Sequence, residues 1–310
     1  MTTSHSFLLF AGSSHPQLAQ EIAGELGVDL GKASISTFPD GEIGIEILDN
    51  VRGRDVFVLQ TIARRPNHYL MEMLIFIDAL KRASARSINL VVPYFGYARQ
   101  DRKDRGRQPI TAKLVADLIQ TAGAQRVITM DLHAQQIQGF FDIPVEHLFA
   151  RSFLVEALKD EGDDCVVVAP DLGSIKLARA FAAELKAEFA IVDKRRVDAE
   201  HVEDEALIGR VDGKKVILID DMISTGQTLK RSAAVCKHFG AKEIVAAATH
   251  GLLAKGAIRG SAIEKVWVTN TVPLSEDREG LEPLNVVSVA PLFSQAILSI
   301  VSAGSISSLQ

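Results

Sequence analysis

The chain has 310 residues, of which 47% are hydrophobic and 24% charged, enough apolar material for one large or two ordinary globular domains. Its net charge of −5 gives no global attraction to nucleic acid or anionic membrane and leaves only local basic patches to consider. Cys165 and Cys236 both lie in apolar runs and read as buried free thiols, not as a disulfide or a CxxC metal pair, which fits a reducing cytoplasm.

In chain order, short apolar, β-branched runs alternate with longer segments of helical period. Strands are expected over 7–10, 56–59, 88–92 and 127–130, with helices over 17–26, 68–83 and 111–122. A break near 149–151 divides the chain into domains 1–150 and 151–310. Beyond it, helices are expected over 152–158, 175–185 and 228–239. The strands there are 166–168, 189–192, 216–219, 244–245 and 266–268. Near-continuous apolar strands alternating with helices predict parallel sheets covered on both faces, an α/β architecture. The N-terminus shows no cationic region followed by a long apolar stretch, so no signal peptide is expected. From Pro283 to Gln310 there is no charge. Ser294, Gln295, Ser299 and Ser302 interrupt that tail, while Phe293, Ile297 and Ile300 recur at helical spacing. A strand near 285–290 followed by an amphipathic helix is expected, not a membrane span.

In open α/β sheets, ligands lie at the carboxyl ends of strands. The strongest signal of that kind is residues 216–228, VILIDDMISTGQT. A buried strand ends in Asp220 and Asp221, and Ser224-Thr225-Gly226-Gln227-Thr228 leads into a helix. A glycine turn followed by a helix N-terminus presents free N–H groups and a positive dipole end to an anion. Thr225 and Thr228 add hydroxyl donors. Two carboxylates beside such a pocket suit sugar hydroxyls or a metal, so phosphate at one end and a diol at the other describe ribose 5-phosphate or a derivative. A plain helix cap would need one such residue, not this whole set.

Five other strand-end or loop segments carry side chains of chemical interest. Phe38-Pro39-Asp40-Gly41-Glu42 reads as a loop with an Asp-Gly turn. Residues 93–107, PYFGYARQDRKDRGR, hold five cationic side chains directly after a strand, either a solvated loop or a triphosphate grip. His133 follows a strand and is a structural histidine or a ligand. Asp171-Leu172-Gly173-Ser174 repeats the order strand, acid, glycine, helix start. Lys194-Arg195-Arg196 follows another strand and opens a polar stretch.

The 216–228 segment resembles the phosphoribosyl-diphosphate motif shared by type I phosphoribosyltransferases and ribose-phosphate pyrophosphokinases. Residues 93–107 and the other segments resemble the pyrophosphokinases alone, over nearly the whole chain. That resemblance implies two tandem type I phosphoribosyltransferase-like domains. It also implies transfer of the β,γ-diphosphate of ATP to the 1-hydroxyl of ribose 5-phosphate, with Mg²⁺. Phe38, Asp40 and Glu42 would hold adenine, donated to a neighbouring subunit, and Arg99 and Gln100 would hold ATP. His133 and Asp171 would bind the metal, and 171–174 the diphosphate. Asp220, Asp221, Ser224, Thr225, Gly226, Gln227 and Thr228 would hold ribose 5-phosphate, and Lys194 and Arg196 would close over the transferring group. A cytoplasmic homohexamer is implied, without nucleic-acid or membrane partners. The sequence departs from the family at Ser224 and Ser174, where aspartate and glycine are usual, and at Gln227, where glycine or alanine is usual. Ser224 is expected to weaken ribose 5-phosphate or metal binding without loss of activity. A type I phosphoribosyltransferase and a silent regulatory paralogue are the alternatives.

Overall fold

The structure, a computed structural model, describes residues 7–161, 164–195, 204–275 and 283–309. In chain order the first elements are β1 (Phe7–Ala11), α1 (Pro16–Leu26), β2 (Ala33–Thr37), β3 (Ile43–Ile47), β4 (Asp55–Leu59), α2 (Pro66–Arg82) and β5 (Ser87–Val92). Next come α3 (Thr111–Ala122), β6 (Arg126–Met130), β7 (Val145–Leu148), α4 (Arg151–Leu158), β8 (Cys165–Ala169) and α5 (Ile175–Leu185). Then follow β9 (Glu188–Arg195), β10 (Asp204–Ile208), β11 (Lys215–Ile223), α6 (Gln227–His238), β12 (Glu243–Gly251), β13 (Lys265–Thr269), β14 (Leu284–Val287) and α7 (Ala290–Val301).

The chain forms two compact units. One comprises Met1–Phe149, Thr271–Pro273 and Val289–Gln310; the other comprises Ala150–Asn270 and Leu274–Ser288. The first boundary lies between Phe149 and Ala150. The last helix, however, groups with the first unit, not with the residues that precede it. There α7 packs on α1, and Ser294 Oγ donates to Ile22 O at 3.4 Å.

The first unit holds an all-parallel sheet in the order β1-β4-β5-β6-β7 and a separate antiparallel ribbon, β2-β3. In β4 and β5 every residue after the first is buried, as a strand covered on both faces requires. α3 begins and ends where its periodicity predicts, with Ala112, Val115, Ala116 and Ile119 facing the core. The ribbon was not expected as strands. Its residues are only half-buried or exposed, so no apolar run marks it.

At the carboxyl ends of β1 and β4 a polar cluster is sealed inside the first unit. Glu72 on α2 is fully buried. Its carboxylate accepts from Ser13 N at 2.7 Å, Ser13 Oγ at 2.5 Å and Gln60 Nε2 at 2.8 Å. Gln60 Oε1 in turn accepts from Ser14 N at 3.2 Å, and Ser14 Oγ accepts from Thr61 N at 2.8 Å. A Cβ placed at Gly12 would fall 2.3 Å from Gln60 Oε1, so only glycine fits there. Thr61 Oγ1 also donates to Thr271 O at 2.8 Å, fastening the 271–273 segment within this unit.

The second unit holds a seven-stranded sheet, β10-β9-β8-β11-β12-β13-β14, parallel except for the β9-β10 pair. β12 runs well beyond the expected 244–245. Its Ala-Ala-Ala-Thr-His stretch has weak strand propensity but is buried between β11 and β13. Cys165 and Cys236 are buried free thiols, and burial pushes Cys236 up to about 12.

At the amino ends of these strands Glu161 joins three partners. Lys215 pairs with it, Lys265 Nζ lies at 3.3 Å, and Trp267 Nε1 donates at 3.0 Å. Lys215 also pairs with Glu243 at 3.0 Å. Burial pushes the Glu161 carboxyl up, but the bonds from Lys215, Trp267 and Lys265 outweigh it and hold the group below its ordinary value. Its contribution is therefore present above the unfolded carboxylate pKa, near 4, and is lost as pH falls through the lower folded value. Glu161→Gln leaves the half-exposed Lys265 without its counter-charge, while Lys215 keeps Glu243. Losing these charge-assisted bonds should cost about 1.5 kcal/mol, a melting point roughly 4 °C lower for a unit of this size. Calorimetry at pH 7 and pH 3 tests this: the gap should close in acid, and an equal gap at both values contradicts the electrostatic account.

Candidate active site

In the second unit the strand order reverses between β8 and β11. Such a switch point opens a crevice at the carboxyl ends of the flanking strands. Both expected phosphate and sugar segments follow those two strands, so the topology brings Asp171–Ser174 and Asp220–Thr228 to one edge.

β11 extends to Ile223, carrying Asp220 and Asp221 on its last residues. Burial, then the charges of Asp221 and Asp171, push Asp220 well above its ordinary value. The three carboxylates therefore feel one another. Asp221 N donates to Asp220 Oδ1 at 2.9 Å, which turns that oxygen toward the backbone. Gly226 then caps α6 in the left-handed region (φ 72°), and no side chain caps the helix. The amides of its first turn are left for an anion. Thr225 and Gln227 are exposed and Thr228 is half-buried around that end.

The β8 loop is closed by its own hydrogen bonds. Ser174 precedes α5 but does not cap it. Its N and Oγ donate to Asp171 Oδ1 at 3.1 and 3.2 Å, and its Oγ also donates to Asp171 O at 3.0 Å. The hydroxyl is spent on the loop, and one oxygen of Asp171 with it. Leu172 stands out at 66% exposure. Lys194 is the next-to-last residue of β9, which runs parallel to β8 and ends on the same edge. Arg196 lies outside the described residues.

In the first unit, β5 and β6 are parallel neighbours, so the loops that follow them, 93–107 and 131–138, share an edge. Gln136 Nε2 donates to Asp101 Oδ2 at 2.8 Å and ties the two together. Arg99, Arg102, Lys103, Arg105 and Arg107 are all exposed. Among them Arg102 pairs with Asp104 at 3.1 Å, itself exposed and weak. Gln100 is anchored to α3: its Oε1 accepts from Thr111 Oγ1 at 2.6 Å, and its O accepts from Ala112 N at 3.1 Å. Tyr97, Arg107 and Asp131 have positive φ without being glycine, a kind of backbone strain that gathers at functional loops.

His133 is exposed at the end of β6. The residue beside it is held by a histidine that sequence reading did not single out: Leu132 N donates to buried His147 Nε2 at 2.9 Å. Nothing in the β7 sequence Val-Glu-His-Leu marks His147 as different from any other strand residue. The Phe38–Glu42 loop is the tip of the β2-β3 ribbon. Phe38 N donates to Glu42 O at 2.8 Å, and Glu42 N to Asp40 Oδ1 at 3.2 Å. Phe38 is 53% exposed, an aromatic face open to solvent.

Among the described residues, no three His, Cys, Asp or Glu side chains form a cage able to hold a metal. Asp171, Asp220 and Asp221 nonetheless supply the oxygen donors a hard cation takes. Mg²⁺ in particular is usually held by one or two carboxylates together with substrate phosphates. The donor set fits a magnesium ion that arrives with a phosphate ligand.

Residues 7–123 match the N-terminal domain of ribose phosphate pyrophosphokinase, and residues 141–280 match the phosphoribosyl transferase domain. A ribose-phosphate pyrophosphokinase of Caldanaerobacter subterraneus subsp. tengcongensis is 52% identical over 99% of this chain and 98% of its own length. That of Bacillus caldolyticus is 50% identical over 98% of each. The crystal structure of phosphoribosylpyrophosphate synthetase from Mycobacterium smegmatis superposes with a TM-score of 0.91 at 42% identity, covering 96% of this chain and all of that one. The two tandem phosphoribosyltransferase-like units expected from the sequence are therefore the fold, and the chain belongs to the ribose-phosphate pyrophosphokinase family.

Proposed function

We propose that this enzyme transfers the β,γ-diphosphate of ATP to the anomeric hydroxyl of ribose 5-phosphate, giving phosphoribosyl diphosphate and AMP. One observation carries the reading to the residue level: an uncapped helix N-terminus follows, on the same sheet edge, Asp220, whose carboxyl is pushed up by burial and by the charges of Asp221 and Asp171. That edge suits a sugar phosphate, with anion at one end and hydroxyls at the other. The family membership selects synthesis of the diphosphorylated sugar over its consumption.

In this reading the amides of α6, Thr225 and Thr228 hold the 5-phosphate, and Asp220 and Asp221 orient the ribose hydroxyls. Arg99 and Gln100 grip the nucleotide, and Phe38, Asp40 and Glu42 hold adenine for a neighbouring subunit of a homohexamer. The sugar hydroxyl oxygen forms a bond to the β-phosphorus as the bond from that phosphorus to the α,β-bridging oxygen breaks. AMP leaves with the bridging oxygen. The residues' main tasks are positioning and neutralisation of charge. Asp171 would reach Mg²⁺ on the second unit, and His133 would meet the Mg²⁺ carried with ATP on the first, where the ion neutralises phosphate-oxygen charge. Lys194 and Arg196 would cover the transferring group and keep water out. The site of action is the cytoplasm.

Purified protein given Mg²⁺, ATP and ribose 5-phosphate should release AMP only when the sugar is present. Absence of sugar-dependent AMP, or conversion of phosphoribosyl diphosphate with a nitrogenous base instead, would refute the proposal. Ser224→Asp restores the usual carboxylate and should lower KM for ribose 5-phosphate about tenfold, the worth of one charge-assisted bond. An unchanged KM shows that Ser224 is not what sets it.

A further inference from the structure

The ribose-phosphate loop does not stand alone. Behind it runs the connection from β12 to β13, a segment that no catalytic role has been attached to above. Leu253 N donates to Ile223 O at 2.8 Å, and Ala254 N donates to Ser224 O at 2.9 Å. The connection therefore continues the β11 pairing past the end of the strand. It then turns on itself, with Ala257 N donating to Ala254 O at 2.8 Å. That turn presses against the cap of α6: a Cβ at Gly226 would lie 2.1 Å from Ala257 O. Leu253, Ala257 and Ile258 are buried, so the turn is packed, not loose.

One side chain closes this arrangement from the helix side. Lys230 N makes the first helical bond of α6, to Gly226 O at 2.9 Å. Lys230 Nζ reaches out of that same turn to donate to Gly256 O at 3.1 Å. The helix cap is thus gripped between its own first hydrogen bond and a bond to the turn behind it, both supplied by one residue. Lys230 is only half-buried and pairs with no carboxylate among the described residues.

We infer that Lys230 is a positioning residue for the ribose 5-phosphate cradle, clamping the first turn of α6 to the 253–257 turn so that its free amides keep their spacing for the phosphate. The inference rests on the assignment of 220–228 as the sugar-phosphate site. The lysine acts through the backbone that meets the phosphate, so its loss should weaken sugar binding more than turnover.

Lys230→Met keeps the aliphatic stem and removes the donor and the charge. The expected result is a KM for ribose 5-phosphate raised about five- to tenfold, the ordinary net worth of one hydrogen bond. KM for ATP should be unaltered, and kcat should change by less than KM does. Lys230→Arg, which keeps donor and charge, should restore most of the affinity. A role confined to stability would instead lower the melting temperature while leaving the KM of the folded fraction at its original value. That result, or an unchanged KM in an active Lys230→Met enzyme, overturns the inference alone. A wild-type enzyme indifferent to ribose 5-phosphate overturns the site assignment beneath it as well.

Discussion

Gly226→Ala is expected to reduce kcat/KM for ribose 5-phosphate by about 100-fold or more, the usual consequence of displacing a positioned group by an ångström. Two independent obstacles meet at this residue. Its φ of 72° lies in the left-handed region, which costs an L-residue roughly 1–2 kcal/mol. A Cβ there would sit 2.1 Å from Ala257 O and 2.7 Å from its carbonyl carbon, and backbone cannot yield as a side-chain tip can. Overpacking adds about 1–3 kcal/mol. The helix cap must move away from the 253–257 turn, and the amides that face the phosphate move with it. Steady-state kinetics with the sugar varied, alongside a thermal melt, measures both effects. Near-normal kinetics would mean that the cradle tolerates the shift and that its geometry is not what binds the phosphate.

Asp220→Asn should have effects of opposite sign on stability and activity. Burial and the neighbouring carboxylates push Asp220 up, so ionising it disfavours the folded state. A group raised in this way contributes stability below its unfolded pKa, near 4, and loses it as pH rises through the folded value. The asparagine variant should therefore match the wild type near pH 4 and exceed it by about 1 kcal/mol near pH 8, an ordinary trade of activity for stability. Turnover should fall roughly 100-fold if the carboxylate makes two charge-assisted bonds to sugar hydroxyls at about 1.5 kcal/mol each. Melting curves of the ligand-free protein from pH 4 to 8 supply the first readout and AMP release the second. A variant that is less stable at pH 8 would show that the carboxylates do not repel one another as described.

Much of the architecture was legible because its strands are apolar almost without interruption. β4 and β5 could only be strands buried on both faces, and α3 and α5 end where their periodicity ends. The β2-β3 ribbon was not legible: half-buried residues and Gly44 leave no strong pattern. Nor was the grouping of α7 with the first unit, since contact with α1 is a matter of tertiary packing at great sequence distance. At the candidate site, the chemistry-bearing residues announced themselves by type and order. Asp220, Asp221, Gly226 and Thr228 are rare in combination after an apolar strand. The supporting residues did not. His147, Gln136, Lys230 and the 253–257 turn act through backbone groups or single bonds across loops, and no local sequence feature distinguishes them from ordinary surface or strand positions.

The enclosed carboxylate of Glu72 bears on how many sugars one polypeptide can carry. A duplicated fold might be thought to offer two equivalent berths, one at each sheet. In the first unit, though, the space past β1 and β4 is already taken by Glu72, Gln60 and two serines, with no room even for a methyl group at Gly12. The Ser13 amide is already taken by Glu72 and the Ser14 amide by Gln60, so neither is left to greet a phosphate. The tandem repeat is thus expected to be asymmetric in occupancy, with ribose 5-phosphate saturating at one equivalent per chain in an equilibrium-binding titration.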